Sequence, residues 1–252
     1  VHWCLECKSA LAEAEVEYED KESCSVDVRF RIIDTNEFLT RTGLNLDQAD
    51  RPIYLPIWTT TLWTLPANQA VVLGEDLNYL LVATESEHGP YYVIVAEGLQ
   101  ASIRDRWQAE KWDVIGSVNP SDLEGLSLQH SFYQRQVPTL IGGHVTLEAG
   151  TGAVHTAPAH GHDDFIIGQK HDLPLENPVN GFGIFTPSTE YFAGQHVFKV
   201  EPKIIEKLQE NNNLIHQQPF IHSYPHCWRH KTPLIFRATP QWFISMDNKN
   251  FR

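Results

Sequence analysis

Apolar and polar residues alternate over residues 26–33 of the chain, and this period of two predicts a half-buried strand. Apolar runs of similar length recur further along the chain. They lie at residues 53–58, 69–73, 77–83, 91–95 and 138–147. Turn-forming residues between 83 and 91 predict that two of these strands form a hairpin. The pattern therefore indicates a protein built mainly from short β-strands.

Helical spacing is confined to a few segments. Residues 99–107 carry apolar side chains four positions apart, which is typical of one face of a helix. Residues 204–208 repeat this pattern after Pro202, and proline is favoured in the first turn of a helix. Dense Pro, Gly and Asn between 174 and 188 predict a long loop. Many strands with few helices indicate a β-barrel or sandwich with attached helices.

The composition is that of an acidic, folded domain. Of 252 residues, 42% are hydrophobic and 20% are charged, and the formal net charge is −13. Because nucleic-acid affinity comes mostly from Lys and Arg, we expect the chain alone to bind RNA poorly. No apolar run is long enough to cross a membrane, so no membrane partner is expected.

The chain begins at Val1, without an initiator methionine or a signal-peptide pattern, and Met246 is its single methionine. We therefore expect a piece of a longer polypeptide. Four cysteines at uneven positions do not resemble a secreted disulfide framework, which favours a cytoplasmic location.

Metal-ligand residues stand at both ends of the chain. Cys4 and Cys7 form a C-x2-C pair, and Cys227 and His230 form a C-x2-H pair. Three thiolates and one imidazole are a tetrahedral zinc set, and four protein ligands would make the zinc structural. Such a site would clamp the two ends of an inserted domain into a stalk. The alternative is an ancestral site that no longer holds metal.

A threonine-rich segment occupies residues 57–68. Four threonines and two tryptophans fall within residues 58–64. Threonine hydroxyls both donate and accept, which suits holding ribose hydroxyls or a water beside an ester. An ordinary edge strand rich in threonine is the structural alternative.

Histidines and aspartates concentrate in residues 150–164. A helix is expected to start near Asp163, and an anion in a first helical turn is stabilised by the helix dipole. Asp164 is therefore a candidate grip for an ammonium group, although an acidic helix cap is the alternative. A metallohydrolase site at His160, His162 and Asp164 is a rival interpretation, but such sites continue with a histidine where this chain has Phe165.

Together, residues 58–68, 150–164 and 223–233 resemble isoleucyl-tRNA synthetase, specifically its editing insertion with the connecting stalk. The resemblance implies an α+β, mainly β fold: a closed β-barrel with peripheral helices and a small zinc-ribbon-like stalk. It divides the chain into stalk halves at 1–22 and 221–252 and an editing domain at 23–220.

The resemblance also implies residue roles. Asp164 would hold the α-amino group of an attached valine, and His155 would limit the depth of the side-chain pocket, which Trp63 also lines. A threonine-rich wall would position the terminal adenosine and the attacking water. The expected catalytic residues are Asp164, Thr60 and Thr61, and the expected substrate-binding residues are His155, Trp63, Thr59, Thr64 and Asn68.

The sequence departs from the family at two positions: Leu62 stands where proline is common, and Ala159 stands where glycine is common. The synthetase's nucleotide-binding signatures are absent, so we expect no activation of isoleucine. No residue has an identifiable triad around it, and the general base is undetermined.

The expected function is hydrolysis of valine wrongly attached to isoleucine tRNA, and valyl-adenylate is a second candidate substrate. Isoleucine would be excluded by size. The partners are the charged 3′ end of that tRNA and the rest of the synthetase, and hydrolysis needs no cofactor. Two alternatives remain open: a non-catalytic, zinc-stabilised tRNA-docking module, and a metallohydrolase.

Overall fold

The computed structural model describes residues 1–48, 50–242 and 244–245. The strands are β1 (His2–Cys4), β2 (Ser9–Leu11), β3 (Val16–Ile32), β4 (Ile53–Thr59), β5 (Ala70–Gly74), β6 (Tyr79–Ser86), β7 (Gly89–Ala96), β8 (Asp113–Val118), β9 (Ser127–Gln129), β10 (Gln136–Gly142), β11 (Ala153–Thr156), β12 (Leu214–Cys227) and β13 (Ile235–Phe236). The α-helices are α1 (Thr35–Thr42), α2 (Gln100–Trp107), α3 (Pro120–Leu123), α4 (His162–Lys170) and α5 (Glu201–Glu210). The mixed, mainly β composition is as predicted.

The long strand β3 organises the main sheet. One of its edges pairs with β12 and then β9, and the other pairs with β4. Beyond β4 the order continues through β7 and β6 to β8, and beyond β9 it continues through β10 and β5 to β11. Val26, Val28, Phe30 and Ile32 of β3 are buried in the main core, as their alternation predicted.

The prediction of a closed barrel was wrong. Over the residues that the structure describes, the strand order is an open path with β11 at one end and β8 at the other. The turn before β11 reaches β4 through a side chain instead: Thr151 Oγ1 donates to the Pro56 carbonyl at 2.7 Å, and the Thr151 carbonyl accepts from Ala96 N at 2.9 Å. Pro56 has no N–H to give to a ladder, so this contact does not extend into strand pairing.

The two ends of the chain lie side by side. Strands β13, β1 and β2 form a separate three-stranded sheet, in which His2 pairs with Phe236. The ribbon of β3 and β12 leads from this sheet into the main sheet, with Val16 opposite Cys227. Both strands run without a break through the predicted boundaries at 22/23 and 220/221.

Helices cover the sheet where the spacing predicted them. Ile103 of α2, and Ile204 and Leu208 of α5, are fully buried. The Asp34 side chain caps α1 by accepting from Glu37 N at 2.9 Å. In the described part of the chain, no helix is long and apolar enough to cross a membrane.

Candidate functional site

A cleft of about 340 Å³ opens where the end of β4, the β11–α4 segment and the ribbon strand β12 converge. Such a volume is within the usual range for small-ligand pockets. Its walls are Trp58, Thr59, Thr60, Thr61, Trp63, Thr64, Val154, His155, His160, Asp164, His222, Tyr224, Pro225 and Phe236. The structure thus brings together the threonine-rich segment and the histidine- and aspartate-rich segment that the sequence analysis identified.

The threonine-rich segment is only half strand. Strand β4 ends at Thr59, and residues Leu62–Ala67 form a buried 3₁₀ turn. Thr59 Oγ1 accepts from Thr61 N at 3.0 Å and fixes this change of direction. Thr60 and Thr61 are half-buried and face the cleft. Among the described residues, no hydrogen bond joins their hydroxyls to the protein, so both are free for a ligand.

The His155 ring is held by a chain of hydrogen bonds. Thr64 Oγ1 donates its proton to the Thr61 carbonyl at 2.7 Å, so it accepts from His155 Nε2 at 2.9 Å. His155 Nδ1 is then the acceptor, facing Asn68 Nδ2 at 3.5 Å. Burial and the neighbouring His160 lower the pKa of His155 to about 4, so the ring is neutral at pH 7. Both nitrogens of His155 are therefore engaged.

Asp164 lies in the first turn of α4 and turns back toward β11. Its Oδ2 accepts from Ala157 N at 2.9 Å. Burial raises the pKa of Asp164 to about 6; the bond from Ala157 opposes this rise, and the nearby Asp163 charge adds to it. No Lys or Arg within the described ranges forms a salt bridge with this carboxylate. Asp164 is therefore a desolvated anion without a cation, at the edge of a small cleft.

Seven of the eight residues predicted for hydrolysis line this one cleft. The eighth, Asn68, is fully buried behind it, where its Nδ2 donates to the Ala70 carbonyl at 2.8 Å and faces His155. Asn68 therefore supports the pocket wall and does not form it.

Strand β12 supplies cleft residues that the sequence analysis missed. Phe220, His222, Tyr224 and His226 stand at every second position, and successive rings lie 5.5–6.1 Å apart along one face. Trp58 packs edge-on against Phe220 at 5.0 Å. That period of two was the sequence signal for a strand, and it places His222 and Tyr224 in the cleft wall.

The rival metal site does not form. His162 is exposed, and His160 Nδ1 lies 2.9 Å from the Phe236 carbonyl, which makes that nitrogen a donor. Within the described part of the chain, one group of side chains brings enough ligand atoms together for a metal ion, and it lies in the stalk.

A second cleft of about 590 Å³ adjoins the first. The two share Thr60, Thr61, Trp63 and Tyr224 as a common wall. A ligand with two parts could therefore occupy both clefts with its junction beside the free threonine hydroxyls.

The stalk cluster has the dimensions of a tetrahedral metal site. The ligand atoms of Cys4, Cys7, Cys227 and His230 all lie within 4.8 Å of one another. Cys7 Sγ is 3.9 Å from Cys227 Sγ and 3.3 Å from His230 Nδ1. Tetrahedral zinc requires about 3.8 Å between sulfurs and about 3.6 Å between sulfur and nitrogen. These four residues could therefore hold a metal ion.

The two halves of this cluster fold alike. Lys8 N donates to the Cys4 carbonyl and Lys231 N donates to the Cys227 carbonyl, both at 2.8 Å. Lys8 and Lys231 have φ values of 56° and 53°, in the left-handed region. Each ligand pair thus lies in an equivalent tight turn, which directs its side chains toward those of the other pair.

Comparison with known proteins gives consistent matches. The family model described as tRNA synthetases class I (I, L, M and V) matches residues 1–251. An isoleucine–tRNA ligase of Alkalilimnicola ehrlichii is 53% identical over 253 residues, which cover all of this chain and 26% of that protein. The corresponding ligase of Nitrosococcus oceani is 52% identical, covering all of this chain and 27% of its own length. The chain thus spans about a quarter of these relatives.

Two solved structures share the fold. The editing domain of the Plasmodium falciparum cytosolic leucyl-tRNA synthetase aligns with a TM-score of 0.60 at 9% identity, covering 79% of this chain and 99% of that one. The equivalent P. knowlesi domain gives a TM-score of 0.57 at 11% identity, covering 84% and 99%. At these identities the likeness is one of fold.

Proposed function

Because the chain belongs to the class I tRNA synthetases (I, L, M and V), we propose that it is the editing domain of an isoleucine–tRNA ligase, as its resemblance to that enzyme predicted. Its reaction is hydrolysis of the ester that joins valine to isoleucine tRNA. The observation that carries this proposal is the small cleft in which an uncompensated carboxylate, Asp164, lies beside a fixed neutral ring, His155.

The two clefts suit the two parts of an aminoacyl ester. Valine occupies the smaller cleft, with its ammonium at Asp164 and its side chain against His155 and Trp63. The terminal adenosine occupies the larger one. The ester then lies at the shared wall, where Thr60 and Thr61 offer free hydroxyls to the ribose and to an attacking water. Thr59 and Thr64 hold that wall in shape.

Hydrolysis at this site needs positioning more than a strong nucleophile. An aminoacyl ester is already activated, and holding a water in line with the carbonyl carbon removes much of the entropic barrier. The water adds to the carbonyl, the C–O bond to the ribose breaks, and the ribose oxygen takes a proton. Neutral His155 has no free lone pair for this proton transfer.

The proposed partners follow from the net charge of the chain and from its family. A domain with a net charge of −13 gains little binding energy from the phosphate backbone of the tRNA. The remainder of the synthetase would therefore bring the 3′ end to the cleft. Residues 1–22 and 221–252 are the stalk halves in this proposal, and 23–220 is the editing domain. Since β3 and β12 are continuous through both boundaries, the stalk and the domain would move together.

We propose zinc as the metal of the stalk cluster, in a ribbon-like stalk. Three cysteines and a histidine at tetrahedral spacing fit zinc and leave no open position, so the metal would be structural. We expect about one zinc per chain by elemental analysis, lost in Cys4→Ser and Cys227→Ser. The melting temperature of these variants should fall more than their rate of hydrolysis, because the metal is remote from the ester. Fewer than roughly a tenth of chains carrying metal, without prior chelation, would contradict the assignment.

Hydrolysis should also depend on pH through Asp164. Only the carboxylate attracts an ammonium, so kcat/KM for valyl-tRNA should fall as the pH decreases through about 6. His155 and His160 have pKa values near 4 and stay neutral across this range. In Asp164→Asn the acidic limb should vanish from the pH profile. A parent profile that is flat from pH 5 to pH 7 would contradict this role.

The experiment that tests the proposed function measures deacylation of isoleucine tRNA charged with valine or with isoleucine, with and without chelator. Fast release of valine, slow release of isoleucine and insensitivity to chelator are expected. A docking module would release neither amino acid, and a metallohydrolase would stop when the metal is removed.

A further inference from the structure

The cleft wall contains a buried imidazole whose acceptor atom has no partner. His160 is 7% exposed, and its Nδ1 donates to the Phe236 carbonyl at 2.9 Å, which leaves the lone pair on Nε2. Over residues 1–48, 50–242 and 244–245, Nε2 has no hydrogen-bond partner. Buried polar atoms are nearly always paired, and leaving one unpaired costs stability, so an unpaired atom in a cleft wall points to a ligand.

His155 differs from His160 in that both of its ring nitrogens have partners. Thr64 and Asn68 engage both nitrogens of His155, although the two rings line the same cleft. The ring of His160 is also fixed in place, edge-on to Trp63 with centroids 4.9 Å apart. Packing against Trp63 accounts for the ring of His160, and the bond to the Phe236 carbonyl accounts for its Nδ1. Neither contact accounts for the unpaired Nε2.

Charge and position indicate what the missing donor is. Burial lowers the pKa of His160 to about 4; the bond to Phe236 opposes this effect, and the nearby Arg237 charge adds to it. The ring is thus neutral and does not repel a cation. Asp164 lines the same cleft four residues later, and it folds so close to Gly161 that a Cβ there would lie 2.7 Å from its Cγ. A carboxylate and a neutral acceptor on one short segment can together bind a group that has several hydrogen-bond donors.

We propose that His160 Nε2 accepts a hydrogen bond from the α-ammonium of the bound aminoacyl ester, which it shares with Asp164. This inference rests on the proposed function and extends it. The site would recognise α-amino acyl esters through two acceptors, and an acyl ester without an α-donor would leave both unused. His160 is in this account a substrate-binding residue.

The test compares two esters of the same tRNA in the full-length synthetase that contains this chain. One is valyl-tRNA, and the other is 3-methylbutanoyl-tRNA, which keeps the valine side chain and lacks the ammonium. His160→Phe should lower kcat/KM for the valyl ester about tenfold and change that for the 3-methylbutanoyl ester less than about twofold. His160→Gln, whose amide oxygen can accept, should recover part of the valyl rate. The melting temperature of His160→Phe should change little, because the substitution removes both the unpaired Nε2 and the bond to the Phe236 carbonyl.

Each outcome bears on one claim. Equal losses on both esters would overturn the inference, since they would mean that His160 acts on the water or on the fold. No loss on either ester would overturn it as well. A parent enzyme that hydrolyses neither ester would overturn the proposed function, and this inference with it. Parent hydrolysis with a loss confined to the valyl ester supports both.

Discussion

Replacing Asp164 by Asn should reduce hydrolysis of valyl-tRNA at least about tenfold while the domain remains folded. The carboxylate opposes the substrate ammonium in the proposed site, and hydrogen bonds to charged groups typically contribute about 1.5–3 kcal/mol. Asn keeps the shape and can still accept from Ala157 N, so the loss would report the charge alone. Asp164→Ala should be as damaging, but it also leaves Ala157 N without its partner. Single-turnover deacylation measures both effects.

Asp163→Asn is the matched control. Asp163 is in the same first turn of α4, yet it is exposed and does not line the cleft. We expect its rate within about twofold of the parent, as surface substitutions usually change energies by less than about 0.5 kcal/mol. Near-normal hydrolysis by folded Asp164→Asn would refute the proposed role of the Asp164 charge in binding the substrate ammonium.

The same carboxylate should lower the stability of the free domain. An acid whose pKa is raised on folding favours the protonated form, so the fold loses stability as the pH rises from about 4 to about 6. A rise from 3.8 to about 6 corresponds to at most about 3 kcal/mol of lost stability at pH 7. The melting temperature of the Asp164→Asn variant at pH 7 should therefore equal or exceed that of the parent. A side chain that reduces stability and is needed for turnover is the usual signature of a functional site.

Much of the fold follows from local patterns. The alternation in β3, the hairpin of β6 and β7 and the helix after Pro202 all depend on neighbouring residues, and the structure contains each of them. The candidate sites could be predicted from the sequence for a similar reason. The pair Cys4 and Cys7, and the cluster around His155, indicate a binding or catalytic site because several residues of the required types fall within a short segment.

The remaining features depend on residues far apart in the chain. Strand β12 was missed because its exposed positions include Gln217, Pro219 and Ser223, and it is held by pairing with β3 about 200 residues earlier. The vacant acceptor of His160 depends on the Phe236 carbonyl, 76 residues away. No local pattern reports such contacts.

Replacing His155 by Ala should make the domain hydrolyse isoleucyl-tRNA, which we expect the parent to spare. In the proposed site His155 closes the side-chain pocket, and forcing one further methylene into a filled space costs about 1–3 kcal/mol. Removing the ring opens more room than that methylene needs. Valyl-tRNA should still be cleaved, because His155 has no free lone pair with which to act as a base. Thr64 keeps its bond to the Thr61 carbonyl, so the wall should survive.

The measurement is the ratio of the isoleucyl to the valyl deacylation rate, in a synthetase that binds the tRNA. We expect this ratio to rise at least about tenfold in His155→Ala, which corresponds to about 1.4 kcal/mol of lost exclusion. His222→Ala is the control, since His222 also lines the cleft but comes from β12 and pairs with Ser23 Oγ at 3.0 Å. Its ratio should match that of the parent. An unchanged ratio in His155→Ala, with both rates strongly reduced, would make His155 a base and refute exclusion by size.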